Sequence, residues 1–300
     1  MSFPFKCHSS LKSGPVRAFN KQNMESKASL NKQLITFFVA TYAVSWLLFA
    51  LGQSIDFLPL IMLGIWSPTL MSITLNRVYY GKAGLKRLFD RFKRYKIKWY
   101  WWLALILLPA AIHFTGRSIW QYFYDGAVDP FFRKPAYWAS AIIPSFLIAG
   151  FGEELGWRGF ALPRLQRIMS PKKAMVVLAM VHMFWHLPTF WLGQGMHNVP
   201  LIFTFAFLFP WTIIFNWLYN KSGGSLIFAV SFHAISNASL SIVRFMPLDS
   251  EVPITPKLIT QLTLPTELAG PYLAVCGVYA IVALAVLMFG KFNQVNTDLP

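Results

Sequence analysis

Acidic side chains are scarce in this 300-residue chain, which has 11 Asp and Glu against 27 Lys and Arg. All charged residues together make up only 13%, about half the fraction with which a soluble domain faces water. This deficit excludes an ordinary soluble enzyme, and a hydrophobic content of 56% excludes a disordered chain. The two cysteines, Cys7 and Cys276, provide no basis for a disulfide framework or a CxxC metal site.

The positive charge, formally +16, would suggest a nucleic-acid partner in a soluble protein. Here the cations lie in short segments between apolar runs, so membrane topology explains them better and we expect no nucleic-acid partner. Residues 1–33 carry six Lys and Arg and lack the apolar core of a signal peptide, so we interpret them as a basic cytoplasmic tail. The composition predicts an all-α, polytopic integral membrane bundle, with membrane lipids as partners and the cell membrane as its location.

Uncharged runs show how the chain would cross a bilayer, which takes about 20 mostly apolar residues per helix. These runs lie at 34–55, 57–76, 99–116, 135–152, 174–220, 222–243 and 268–290. The run 174–220 has room for two helices, with Gly193 and Gly195 supplying a turn. We therefore predict eight transmembrane helices in a bundle spanning 34–290, followed by a C-terminal tail at 291–300.

The orientation follows from Lys and Arg, which concentrate in cytoplasmic loops. If the N-terminus is inside, the segments 1–33, 77–98, 158–173, 221 and 291–300 face the cytoplasm and hold 22 of the 27 Lys and Arg. The opposite side then holds five. The asymmetry predicts that both termini are cytoplasmic, and the basic stretch 82–98 has the pattern of an amphipathic helix on an anionic leaflet.

Two adjacent carboxylates, Glu153 and Glu154, end the fourth apolar run. A helix entering near residue 136 would carry Glu153 about 25 Å inward, close to the inner edge of the hydrocarbon layer. Ionisable groups at that depth are costly and indicate a functional site. Arg158 shares a helix face with Glu154, whereas Glu153 points elsewhere, and Pro163 is the next strong helix breaker.

Further polar groups lie inside two other apolar runs. His182 and His186 are four residues apart on one predicted helix face, and His233 and Asn237 are four apart on another span. Together with Glu153 they predict a polar cavity inside the bundle. A Glu paired with His can act as general base on a water, while His and Asn can donate to a developing oxyanion.

These residues resemble the motifs of the CPBP intramembrane protease family, which includes the CAAX prenyl proteases and the bacterial Abi proteins. EELGWR, with its acidic pair and Arg158, is similar to the family's first motif, EExxxR. FWHLP, with His186, resembles the second motif, and HAISN, with His233 and Asn237, resembles the third motif, HxxxN. The similar region runs from about residue 142 to residue 237.

The resemblance implies a role for each of these residues. Glu153 and His186 would activate water, His233 and Asn237 would form the oxyanion site, and Glu154 and Arg158 would organise the helix end. The second motif is usually FxxxH, and its aromatic position is occupied here by His182. We interpret His182 as a packing substitute for that aromatic ring; the alternative is an additional polar member of the cavity.

Two mechanisms and a second class of protein remain open. The metal-free mechanism, which we favour, needs no cofactor. A zinc mechanism would use His186, His233 and Glu153, with His182 as a further candidate ligand, although HExxH is absent. Outside enzymes, a transporter or a bacteriocin-immunity protein could use the same cavity for binding. The leading hypothesis is an endopeptidase that cleaves a peptide or protein substrate, lipid-modified if it follows the CAAX branch.

Overall fold

The computed structural model describes residues 25–124, 132, 134–188, 201–243, 266–292 and 294. Most of the expected basic tail and the turn expected at Gly193 and Gly195 lie outside these residues. The α-helices are α1 (Lys27–Ser54), α2 (Leu58–Ile65), α3 (Ser67–Asp90), α4 (Trp99–Tyr124), α5 (Trp138–Pro144), α6 (Phe151–Gly156), α7 (Leu162–Ile168), α8 (Pro171–Trp185), α9 (Leu201–Lys221), α10 (Leu226–Ile242) and α11 (Thr266–Phe289). Within the described ranges the only β-pairing is an isolated bridge between Phe132 and Val243.

The expected all-α membrane bundle is confirmed. Each of the eight predicted segments contains a helix. Among the described residues, however, five helices are long and apolar enough to span a membrane, or six if α2 and α3, bent by 51°, form one span. Eight transmembrane helices therefore stays a prediction, because α8 has 15 residues and α10 has 17. The first helix begins at Lys27, before the apolar run that starts at residue 34.

The distribution of side chains is that of a protein surrounded by lipid. Large apolar side chains on the outer helices are exposed, such as Ile35 and Val39 on α1 and Ile281 on α11. By contrast, the carboxylates of α6, Glu153 and Glu154, and the imidazole of His233 on α10 are buried within the protein. In a bilayer such groups are tolerated where other protein groups or a water-filled cavity satisfy them.

The acidic pair lies in a helical run from 135 to 168 that changes its winding twice. Two π-helical turns, Ser145–Gly150 and Trp157–Ala161, flank the short helix α6. Insertions of this kind occur frequently at functional sites, because they change the direction of side chains along a helix. Here they set the direction of Glu153 and Glu154 relative to the neighbouring helices.

The helical run passes through Pro163 and ends at Ile168, although the sequence marks this proline as a helix breaker. Proline has no backbone N–H to donate to the preceding turn, so it leaves carbonyls there without their helical donor. A buried arginine compensates for this loss. Arg91 donates to the carbonyl oxygens of Gly159 at 2.6 Å and Arg158 at 2.9 Å. The hydroxyl of Tyr219 also donates to the Arg158 carbonyl at 2.8 Å.

Helix α6 approaches the start of α3 more closely than a side chain would allow. A Cβ atom at Gly156 would lie 2.6 Å from the carbonyl oxygen of Pro68, so only glycine fits at this contact. Close by, Thr69 donates from Oγ1 to the carbonyl of Phe151 at 2.7 Å. These contacts hold the helix that carries the acidic pair against α3.

Candidate active site

Glu154 and Arg158 form a buried ion pair, as their spacing predicts. Arg158 Nη1 lies 2.9 Å from Glu154 Oε1 and 3.1 Å from Oε2, and both side chains are fully buried. Arg158 Nε donates to Asn216 Oδ1 at 3.0 Å, and the guanidinium carbon lies 3.7 Å from the centre of the Phe215 ring. Helix α9 therefore fixes the arginine from the opposite side.

The same carboxylate also connects α6 to α10. Glu154 Oε1 lies 2.6 Å from His233 Nδ1, and the histidine is 2% exposed. The carboxylate of Glu154 is thus in contact with a guanidinium and an imidazole at the same time. The first and third sequence motifs, 79 residues apart, meet through this single oxygen atom.

Glu153 points to a different helix, as its position in the chain predicts. Its Oε2 lies 3.0 Å from Nε2 of His182 on α8, and both side chains are buried. His182 Nδ1 in turn lies 3.5 Å from the hydroxyl of Thr212 on α9. The ring also packs against Trp157 and Trp211, so His182 combines the packing position expected from the sequence with a direct contact to the carboxylate.

His186 immediately follows the last residue of α8 and stays within reach of both groups. One ring nitrogen of His186, one of His182 and a Glu153 oxygen all lie within 4.8 Å of one another. The centres of the two imidazole rings are 5.1 Å apart. The structure thus brings His186 to Glu153, as expected for a shared water, with His182 as a third member.

Asn237 lies one helical turn beyond His233 on α10 and is half-buried. Together with His182, His186 and His233 it lines a small pocket. The apolar part of the lining comes from α9, with Phe207, Leu208 and Trp211. All six motif residues and His182 therefore meet in or directly beside one pocket inside the bundle.

Three contributors were not found by the sequence reasoning. Asn216 holds Arg158, Thr212 contacts His182, and Trp211 lines the pocket while its indole Nε1 donates to Ser236 at 2.7 Å. All three lie on α9, which the sequence reasoning treated as an ordinary apolar span. Asn216, a polar amide within a largely apolar helix, was the available signal.

Two groups of side chains have the donor chemistry for a metal ion. One consists of Glu153, His182 and His186, and the other of Glu153, Glu154 and His233. Both offer nitrogen and carboxylate ligands of the kind that zinc accepts. Among the described residues, neither group joins His186 to His233, so the ligand set considered from the sequence is not brought together as one unit.

Comparisons with known proteins agree with this geometry. Residues 135–239 match a family model described as type II CAAX prenyl endopeptidase Rce1-like. This match includes the acidic pair and the three histidine and asparagine residues of the motifs, His186, His233 and Asn237. The chain is also similar to CAAX prenyl protease 2 of Methanococcus maripaludis, with 26% identity over 234 residues, 69% of this chain and 83% of that protein.

Proposed function

We propose that the chain is a member of the CPBP family of intramembrane proteases, an endopeptidase that hydrolyses a peptide bond near the membrane surface. The mechanism rests on one observation: Arg158 and His233 contact the carboxylate of Glu154, whereas the carboxylate of Glu153 faces the histidines of α8. The two adjacent carboxylates therefore have separate roles, one structural and one as general base.

Glu153 takes a proton from a water molecule held between its carboxylate and the imidazoles of α8. The water oxygen then attacks the substrate carbonyl carbon, and the carbonyl oxygen becomes an oxyanion. Collapse of this intermediate breaks the C–N bond, and the proton on Glu153 passes to the leaving amine. The enclosing apolar side chains of α9 strengthen these electrostatic interactions by excluding bulk water.

The oxyanion is stabilised from α10. Asn237 donates through its amide whatever its surroundings, because this group always carries N–H donors. His233 is more restricted: with Nδ1 directed at Glu154, only Nε2 is left for the substrate. The carboxylate of Glu154, 2.6 Å from Nδ1, thereby fixes the orientation of the ring. Glu154 therefore supports the oxyanion site as well as the helix end.

We propose that the active form works without a metal. Glu153 and the histidines already provide a general base and hydrogen-bonding groups for the water, and Asn237 and His233 provide the oxyanion donors. Zinc held by Glu153, His182 and His186 would instead act as a Lewis acid. The proposal expects purified protein to keep its turnover after exhaustive chelation; loss of turnover with chelation and its return with zinc would contradict it.

The substrate is proposed to be a peptide with a lipid attached near its C-terminus, in line with the name of the archaeal relative. The matched test compares a farnesylated fluorogenic peptide with the same peptide carrying an S-methyl group. We expect faster cleavage of the farnesylated form. Equal rates would reject the lipid requirement and leave the endopeptidase assignment intact.

The endopeptidase assignment itself is tested by peptidomics of membranes that contain either the wild-type chain or Glu153→Gln at equal abundance. We expect new peptide termini in the wild-type membranes that are absent with the variant. Identical termini in both samples would contradict hydrolysis by Glu153 and favour a binding protein.

A further inference from the structure

We infer that Glu153, His182 and His186 form a binding site for a divalent metal of the zinc class, and that a metal bound there inhibits the peptidase. The second half of this inference rests on the proposed function, whereas the first half does not. The distinctive ligand is His182, which occupies the position where the family's second motif usually has phenylalanine.

The three donors have the chemistry and the spacing of a zinc site. Two imidazoles four residues apart at the end of one helix, joined by a carboxylate from another element, form a three-ligand set that leaves a fourth position open. All three donor atoms lie within 4.8 Å of one another, and His182 Nε2 is already 3.0 Å from Glu153 Oε2. Small side-chain rotations bring such a group around one ion.

The second group, Glu153, Glu154 and His233, is a poorer candidate. Glu154 already accepts from Arg158 through both oxygens and lies 2.6 Å from His233. A cation placed there would have to displace or repel a buried guanidinium, at a large electrostatic cost. Because Arg158 neutralises Glu154, the charge of Glu153 is the one available to balance a metal ion.

Thr212 gives His182 the outer contact that metal-binding histidines usually have. His182 Nδ1 lies 3.5 Å from the threonine hydroxyl, so Nε2 is directed at Glu153. A ring that coordinates a metal through Nε2 carries its proton on Nδ1, which can donate to Thr212 Oγ1.

Inhibition follows because Glu153 would be both a metal ligand and the general base. A carboxylate oxygen that coordinates a metal no longer takes a proton from water, and His186 is withdrawn from the same water. The occupied site therefore lacks the general base of the proposed reaction. Removing His182 should weaken the metal site while Glu153 and His186 stay in the chain.

The experiment titrates the purified full-length protein with cobalt(II), whose visible absorption is intense in four-coordinate sites. We expect such bands in the wild type and their loss when zinc is added in competition. His182→Phe, which restores the usual aromatic residue, and His182→Gln, which keeps a polar side chain, should each bind cobalt at least about tenfold more weakly. His113→Gln removes a buried histidine elsewhere in the fold and should leave the bands unchanged.

Equal affinity in the wild type and both His182 variants, or the absence of four-coordinate bands in the wild type, would overturn the site. Inhibition is measured as peptide turnover at zinc concentrations that displace cobalt. We expect wild-type turnover to fall as the site fills, and undiminished turnover with a filled site would overturn the inhibitory role. If the chain cleaves no peptide at all, the cobalt spectra still decide the metal site, so the two failures are distinguishable.

Discussion

Glu153 and Glu154 are adjacent in the chain but have entirely different partners. The i,i+4 spacing of Glu154 and Arg158 was sufficient to predict their pair, because helix geometry alone brings such residues together. The contact of Glu153 with His182 was not predictable in the same way, because it depends on how α6 and α8 pack. The sequence favoured a packing role for His182, and its additional contact with Glu153 is visible only once the helices are packed.

The division of roles predicts different defects for two conservative variants. Glu153→Gln keeps the shape of the side chain but cannot accept the proton, so kcat should fall by about 10²–10⁴-fold while thermal stability stays close to that of the wild type. Peptide turnover and thermal unfolding in the same detergent measure the two effects. Near-normal turnover would contradict a general-base role.

Glu154→Gln is the matched comparison, because it makes the same chemical change one residue away. It leaves the guanidinium of Arg158 buried without its carboxylate, and breaking a buried pair in this way costs about 3–5 kcal/mol. A clear drop in unfolding temperature is expected here and not for Glu153→Gln. Equal stability of the two variants would contradict the structural role of Glu154.

At the scale of the element, the helical run from 135 to 168 depends on residues outside itself. Pro163 removes a backbone donor from the turn that contains Arg158, and Arg91 supplies hydrogen bonds from the segment after α3. The sequence predicted a helix in this region and identified Pro163 as a helix breaker. It did not predict the two π-helical turns. The compensation at Pro163 was not predictable either, because it depends on a side chain 67 residues before Arg158.

This dependence predicts that Arg91→Lys destabilises the protein. Lysine cannot donate to the two carbonyls in the planar geometry of a guanidinium, and leaving a buried acceptor unsatisfied costs about 1–3 kcal/mol. The control is Arg94→Lys, since Arg94 donates to the carbonyl of Gly223 at 3.1 Å in a more exposed position. Thermal unfolding should show a larger decrease for Arg91→Lys, and equal decreases would contradict the role of Arg91 in supporting the π-helical turn.

At the scale of the whole molecule, segments predicted to lie on one side of the membrane contact one another. The contacts include Tyr80 with Glu25, Arg91 with Gly159 and Gly224, and Lys172 with Phe292. All of these residues come from, or border on, the segments assigned to the cytoplasm from their Lys and Arg content. At the predicted outer side, the bridge between Phe132 and Val243 joins two other connections.

These contacts agree with a topology in which successive spans cross the bilayer in opposite directions. The 22-to-5 distribution of Lys and Arg predicts which side of the bundle faces the cytoplasm. Reporter fusions made after Lys96 and after Lys291 should read as cytoplasmic. Fusions after Asp129 and after Asp249, two positions outside the described residues, should read as external. A fusion after Gly224, which precedes the short helix α10, should read as cytoplasmic and serves as the control for whether α10 crosses the bilayer. If the Asp249 fusion also reads as cytoplasmic, α10 does not cross the bilayer, and the eight-helix topology is wrong.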